Sequence, residues 1–377
     1  MRTIRRAGNL RDRVVLVRAA LNVPVENGKV TNTYRLRQAL TTIQYLQKKG
    51  AKVVLMGHIG EQGTETFMPV YEALKPLISQ IEFCPVSIGA EAKTAISKMK
   101  GGEVLLLENL RRHRGEKMND PAFAQELASL GDVFVEDSFD VCHREHASVV
   151  GVPKLLPSYA GFLVEHEVKE LKRALKPKYP AIAIIAGAKF ATKEPVILAL
   201  LETYDQVFIG GALANDFIQA EGNGVGMSLT SGGDQREMRR LLKNKDLLIP
   251  RDVVVAPLEG TVADSAVVSV NEVPSTKAIL DVGPASVEAL APYFKKAKTI
   301  LWNGTLGRYE NGFIEGTRQL AEEIAASKAH SILGGGDTVA AVESLRLQNK
   351  FSFVSTGGGA MLDFLAYGKL PGLDALR

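Results

Sequence analysis

The chain reads as an α/β protein built of two doubly wound, parallel-sheet domains joined by a connecting helix and a hinge. Three observations predict this. Its 377 residues are long for a single hydrophobic core. Short apolar runs alternate with helix-length segments in two successive series, and repeated βα units argue parallel sheets covered on both faces. Between the series lies one charged, uninterrupted helical segment, 163–175, followed by the stiff break Lys176-Pro177-Lys178-Tyr179-Pro180.

In the first series, apolar runs predict buried strands at 13–17, 52–56, 103–107 and 133–136. Helical spacing predicts helices at 34–49, 69–79 and 121–130, the last opened by Asn119-Asp120-Pro121 with proline at the first helical position. The second series predicts strands at 181–185, 206–209, 253–256, 299–302, 330–333 and 351–354. Helices are expected at 195–203, 212–220, 285–295, 317–327 and 338–347. The domains expected are thus residues 1–162, a connecting helix and linker at 163–180, and residues 181–366, each Rossmann-like, with sites at the C-terminal ends of the strands.

An apolar share of 46% and a charged share of 23% are those of an ordinary globular chain. The two cysteines, Cys84 and Cys142, are too few for a disulfide framework. No targeting segment or membrane-length apolar run is read, so the cytoplasm is the expected address, with no membrane partner. The net charge of +4, slightly weighted to the first half, suits a small acidic ligand, and no basic run interleaved with aromatics suggests nucleic acid.

The second half carries phosphate chemistry at its strand ends. The strand at 181–185 runs into Gly187-Ala188-Lys189 and Lys193, where small residues let backbone approach a ligand and two ammonium groups meet a helix N-terminus. The strand at 330–333 ends in Gly334-Gly335-Gly336-Asp337-Thr338, whose glycines suit a nest of N–H groups. Asp337 is a hard ligand for phosphate-bound Mg²⁺, and Thr338 is expected to cap the helix and reach a phosphate oxygen. A second triplet, Gly357-Gly358-Gly359, follows the strand at 351–354. Asn303-Gly304-Thr305 follows the strand at 299–302, with Glu310 as a ribose candidate. There is neither a Walker A loop nor a GxGxxG, and this combination fits phosphoryl transfer better than nicotinamide binding.

In the first half, Arg18, Asn22, Arg35, His58, Arg111, Arg144 and His146 fall near strand ends, and arginines suit a carboxylate or phosphate. Cys142-His143-Arg144-Glu145-His146 lacks the partners of a metal site. No Ser–His–Asp or Cys–His nucleophile stands out. A carboxylate or phosphate acceptor is already ionised at neutral pH and needs no general base, so positioning and charge neutralisation suffice.

These residues resemble the phosphoglycerate kinase family nearly end to end. The marks are 15–24 (VLVRAALNVP), Arg35, Gly57-His58-Ile59-Gly60, 105–113 (LLLENLRRH), 143–148 (HREHAS), Gly187-Ala188-Lys189, Lys193, 280–284 (LDVGP), 302–304 (WNG), 334–338 (GGGDT) and 355–359 (STGGG). The resemblance implies a glycolytic, hinge-bending kinase, expected as a monomer. It would transfer the acyl phosphate of 1,3-bisphosphoglycerate to ADP reversibly with Mg²⁺, giving 3-phosphoglycerate and ATP. Arg35 and Lys189 would stabilise the transferring group, with backbone N–H groups at Gly335 and Gly358. Asn22, Arg35, His58, Arg111, Arg144 and His146 would hold the acid. Gly187, Ala188, Lys189, Lys193, Gly211, Asn303, Glu310, Gly334, Gly335, Gly336, Asp337 and Thr338 would hold the nucleotide, with Asp337 on Mg²⁺. The tail from about 367 to 377 would return to the first domain.

The chain departs from the family pattern at several positions. Ala20 replaces a usual aspartate and Glu61 a usual arginine, and the loop at 61–68 is short. Arg112 and Arg114 stand where the family more often has Phe and an uncharged residue, and one of them is expected to replace the lost arginine. Thr192, Thr305 and Ile279 alter the nucleotide side. Two alternatives stay open: a catalytically silent nucleotide-binding regulator, and an acyl-phosphate kinase for another small acid.

Overall fold

In this computed structural model, which describes residues 1–376, the chain forms two compact units. One comprises Met1–Lys169 with the tail from Lys369, the other Glu170–Gly368. The division falls inside the helix Phe162–Leu175, so this helix contributes to both.

The first unit is centred on six parallel strands: β1 (Val14–Ala19), β2 (Lys52–Met56), β3 (Ile81–Cys84), β4 (Val104–Leu107), β5 (Val133–Asp137) and β6 (Ser158–Ala160), in the order β3-β4-β2-β1-β5-β6. β2, β4 and β5 are buried almost throughout, as expected where helices cover both faces. The order reverses between β1 and β5, which makes the crevice at their C-terminal ends the natural ligand position. The tail lies on this unit: Gly372 N–H donates to Cys142 O at 2.9 Å, and Ala375 packs on Val141, Val149 and Val150.

The second unit has β7 (Ala181–Ala186), β8 (Gln206–Gly210), β9 (Leu247–Leu248), β10 (Asp252–Ala256), β11 (Ala266–Ser269), β12 (Ala278–Val282), β13 (Thr299–Asn303), β14 (His330–Gly334) and β15 (Phe353–Val354). Six of them form a parallel sheet in the order β9-β8-β7-β13-β14-β15, reversing between β7 and β13. β7 reads Ala-Ile-Ala-Ile-Ile-Ala and is buried at every position. Burying each isoleucine there stabilises the sheet by about 1.5–3 kcal/mol before entropy is counted.

Several expectations are corrected. The strand expected at 253–256 is not part of the parallel sheet; β10 pairs antiparallel with β11 and β12 in a separate three-stranded sheet. Its alternate residues are only half-buried, which an apolar run of valines conceals. The helix expected at 285–295 is two, Pro284–Glu288 and Ala291–Lys296; Pro292 lacks the N–H that would bond Glu288 O in a continuous helix, and it is tolerated in the first turn of the second. The helix expected from Pro195 begins instead at Phe190 and carries Pro195 in its interior. The helix expected at 69–79 ends at Leu74, and the one expected at 338–347 is Gly336–Ser344. β3, β6 and the helix Gly89–Lys98 escaped the sequence reading because their apolar runs are short or interrupted.

Candidate functional site

In the second unit, the strand ends at the reversal point are held so closely that only glycine fits. Gly304 (φ +102°) lies so near the end of β7 that a Cβ there would stand 2.2 Å from Ala186 O. Gly211 (φ +64°) is similarly confined by Thr305 O and Gly187 N, and Leu213 N–H donates to Gly187 O at 2.6 Å. This backbone cluster brings Gly187, Ala188, Gly211, Glu310 and Asp337 to the wall of one cavity of about 510 Å³. Its apolar side is formed by Val253, Ile279, Leu280 and Leu306. The volume and the mixed lining suit a nucleotide-sized ligand.

Lys189 is exposed at the N-cap of the helix Phe190–Leu201, and Lys193 sits in its first turn. Lys193 Nζ donates to Asn303 Oδ1 at 2.9 Å. Burial lowers the Lys193 pKa to about 8, against the opposing pull of Asp337. Asp337 itself is exposed in the first turn of Gly336–Ser344, after the positive-φ Gly335. Gly336 is exposed, with open space where a side chain would stand. Gly334 is packed under Met361, whose Sδ would be 2.0 Å from a Cβ. Gly358 (φ +52°) caps the helix Gly359–Tyr367 and also faces open space.

Thr338 corrects the expectation placed on it. It is fully buried, does not cap its helix, and its hydroxyl accepts from Gly304 N–H at 2.8 Å. It ties the end of β13 to the start of the helix after β14. Asp281, which the sequence reading gave no role beyond its place in 280–284, also lines the cavity. It accepts N–H bonds from Val282 and Gly316, and burial pushes its pKa up to about 7.

In the first unit, a buried polar cluster forms beyond the ends of β1 and β2. Arg18 is wholly buried: Nε donates to Ser148 Oγ at 3.0 Å, Nη1 to Ala19 O at 3.2 Å, and Nη2 contacts His58 Nδ1 at 3.0 Å. It therefore fixes His58 rather than offering itself to a ligand. Burial, then the charges of Arg18, Arg111 and Arg144, hold the His58 pKa well below the usual imidazole value. His146 is lowered to about 4 by burial and the same arginines, although Glu116 lies 3.9 Å away. Both rings are neutral at pH 7 and act as hydrogen-bonding groups.

Arg111 has no exposed side-chain surface. Its Nη1 donates to Gly60 O and pairs with Glu61 Oε2 at 3.0 Å, while Nε and Nη2 have no hydrogen-bond partner. Asn22 Oδ1 accepts from Gly60 N–H at 3.1 Å. Arg35 Nη1 bonds Asn22 O at 3.0 Å and pairs with Asp140 Oδ2 at 3.2 Å, which sets it at the β1/β5 reversal point. Arg144 is half-buried beside this cluster.

The contacts of Arg112 and Arg114 lend no support to either replacing the lost arginine. Arg112 turns to Glu108 at 3.5 Å, and Arg114 is exposed. The cation that reaches Glu61 besides the cluster arginines is Lys117, whose Nζ donates to Glu61 O. Sequence reasoning also missed the supports. Asn109 is buried and makes four bonds, to Ile59 N and O, Glu65 O and Arg111 N. Glu116 is buried and accepts from Ser148 N and Oγ.

The strand-end glycines, the lysine–asparagine pair and the cavity in one unit, with an arginine-rich cluster in the other, define an α/β protein that handles phosphorylated small molecules. Comparison with known proteins narrows the class. The phosphoglycerate kinase family model matches residues 5–369. Phosphoglycerate kinase of Moorella thermoacetica is 43% identical over 380 residues, covering 97% of each chain. That of Herpetosiphon aurantiacus is 43% identical over 376 residues, covering 96% of this chain and 95% of the other. Among solved structures, phosphoglycerate kinase from Pyrococcus horikoshii matches with a TM-score of 0.91 at 30% identity, covering 100% of this chain and 98% of that one. The Coxiella burnetii enzyme matches at 0.82 and 36% identity, covering 98% and 97%. The chain belongs to the phosphoglycerate kinase family.

Proposed function

We propose that the chain catalyses reversible phosphoryl transfer between 1,3-bisphosphoglycerate and ADP, giving 3-phosphoglycerate and ATP. The observation that carries this is the reversal point of the second sheet. There Lys193, held by Asn303, stands with Lys189, Gly336 and Asp337 beside a glycine-walled cavity. The apolar wall of Ile279, Leu280 and Leu306 takes the base, Glu310 the ribose hydroxyls, and the lysines the phosphates.

In the ATP-forming direction, a β-phosphate oxygen of ADP attacks the acyl phosphorus, and the bond from phosphorus to the carboxylate oxygen breaks. The carboxylate leaves ionised, so no proton need move. Arg35 and Lys189 neutralise the charge of the transferring group, with the N–H groups at Gly335 and Gly358. Asn22, His58, Arg111, Arg144 and His146 hold the glycerate and its phosphate.

Among the described residues no group of three or more His, Cys, Asp or Glu side chains could hold a metal. Mg²⁺ fits the residues present, because it is commonly held by one carboxylate plus substrate phosphates. Asp337, exposed at a helix start, is that carboxylate. The ion would neutralise phosphate charge. Hinge closure that excludes water, a monomeric state and a cytoplasmic address belong to the same reading. Among the described residues no helix is long and apolar enough to cross a membrane.

The test is ADP formation from ATP and 3-phosphoglycerate in a coupled assay, with Lys189→Ala as control. Turnover that depends on the lysine supports the reading. Nucleotide binding without turnover refutes it and leaves a silent regulator or a different acid.

A further inference from the structure

The ion pair at Arg111 is unlike a surface salt bridge. The arginine side chain is entirely out of water, whereas the Glu61 side chain is 65% exposed. Two edges of the guanidinium, Nε and Nη2, are buried without a hydrogen-bond partner. Unmade bonds on a buried cation are costly, and a bidentate phosphate or carboxylate is the group that relieves them. Arg18 and Arg144 add positive charge nearby. Burial of Glu61 opposes its ionisation, but the hydrogen bond and charge of Arg111, with Arg144 and Lys117, outweigh it and hold the carboxyl below its ordinary value.

The backbone around Glu61 is held by its neighbours, while its side chain, paired with Arg111, is otherwise largely in water. Gly60 N–H is held by Asn22, and Lys117 Nζ holds Glu61 O. Gly63 (φ +80°) lies so close to Arg111 O that a Cβ would come within 2.1 Å. The loop thus presents a solvent-exposed carboxylate to Arg111 Nη1, while Nε and Nη2 still lack partners.

We propose that Glu61 is a built-in competitor: its carboxylate neutralises Arg111 through Nη1 and swings into solvent when the acid substrate's anion takes the guanidinium through Nε and Nη2. The proposal rests on the first unit being the acid side of the kinase. Glu61 then sets the Michaelis constant for the acid. A phosphate dianion displaces it, and a singly charged acid competes less well.

The test is Glu61→Gln, with Glu61→Asp beside it. Removing the competitor is expected to lower KM for 3-phosphoglycerate about three- to tenfold, with the effect on KM rather than kcat. A KM that is unchanged or raised overturns the proposal, a rise showing that Glu61 props Arg111 in place. A second readout needs no turnover: the concentration of inorganic phosphate that protects against thermal unfolding. It is expected to fall by a similar factor in Glu61→Gln, and the gain is expected to vanish in Glu61→Gln/Arg111→Ala, which separates this site from the nucleotide side. If 3-phosphoglycerate is not turned over but phosphate binding tightens through Arg111, the assigned reaction fails and the competitor stands. If turnover is robust and neither quantity falls, the competitor fails alone.

Discussion

Arg111 and Glu61 are paired at 3.0 Å with the arginine wholly buried and the glutamate largely in water. Lysine cannot reproduce what Arg111 does, because an ammonium group lacks the planar fork and its remaining edges. Arg111→Lys is expected to raise KM for 3-phosphoglycerate about ten- to a hundredfold, by analogy with the loss of one to two charge-assisted hydrogen bonds. Steady-state kinetics check this. Unchanged KM would remove Arg111 from the acid site.

Lys193 is expected to make nucleotide affinity pH-dependent. Its pKa in the free protein is about 8, lowered by burial. A phosphate beside it favours the ammonium form and raises that value. Above pH 8 binding must therefore take up a proton, and affinity falls as pH rises, by up to about tenfold per pH unit. Below pH 7 the dependence on this group disappears. Calorimetry of ADP binding in buffers of different ionisation enthalpy reads the proton directly, and Lys193→Arg is expected to abolish the uptake.

Two glycines at the nucleotide side separate fold from function. Gly304→Ala places a methyl group on Ala186 O at positive φ, so the soluble yield or thermal midpoint is expected to collapse. Gly336→Ala meets nothing within 4 Å and lies at the start of a helix, where alanine is the better residue. Its thermal midpoint is expected to hold or rise by roughly a degree or two, while ADP affinity falls about tenfold or more as the methyl group meets the phosphates. Unaltered affinity would remove Gly336 from the phosphate site.

Asp337 is exposed and supports no part of the fold described above. Asp337→Asn is expected to leave thermal stability unchanged and to lower turnover about a hundredfold, a loss of some 2.7 kcal/mol of transition-state stabilisation. Added Mg²⁺ is expected to restore part of the loss; indifference to Mg²⁺ concentration would contradict the assigned role.

His146 gives the acid limb of stability a definite sign. Its folded pKa of about 4 lies below the ordinary value of 6.5. Between the two, the unfolded chain binds a proton that the folded chain refuses. The stability this group contributes is complete above about 6.5 and is lost as pH falls toward 4. Urea midpoints at pH 7 and pH 5 are expected to fall further for the native chain than for His146→Gln. The raised Asp281, at about 7, acts in the opposite sense: its contribution is present at low pH and is lost as pH rises toward 7.

Part of the candidate site was legible because glycine-rich turns at strand ends are local marks. Gly187 and Asp337, read from such turns, line one cavity, and Lys193, read from the same turn as Gly187, bonds Asn303. Other positions were not legible because their roles depend on distant partners. Thr338 looked like a helix cap, yet its hydroxyl serves Gly304, 34 residues earlier in the chain. Arg18 looked like a ligand, yet it is spent on His58 and Ser148 inside the first unit. Arg112 differs from these: it was read as a candidate compensating cation, and its ion pair with Glu108 is local, four residues earlier in the chain.

The sequence by itself determined the two series of βα units, the strand-end glycines and the placement of charge at those ends. These follow from periodicity, backbone freedom at glycine and residue chemistry, which act over a few residues. Tertiary structure alone decided which strands are neighbours, and so that β1 faces β5 and β7 faces β13. It also removed β10 from the parallel sheet and set Glu61 on Arg111. Strand order and ion pairing are fixed by packing between segments tens to more than a hundred residues apart, and no local pattern encodes the partner.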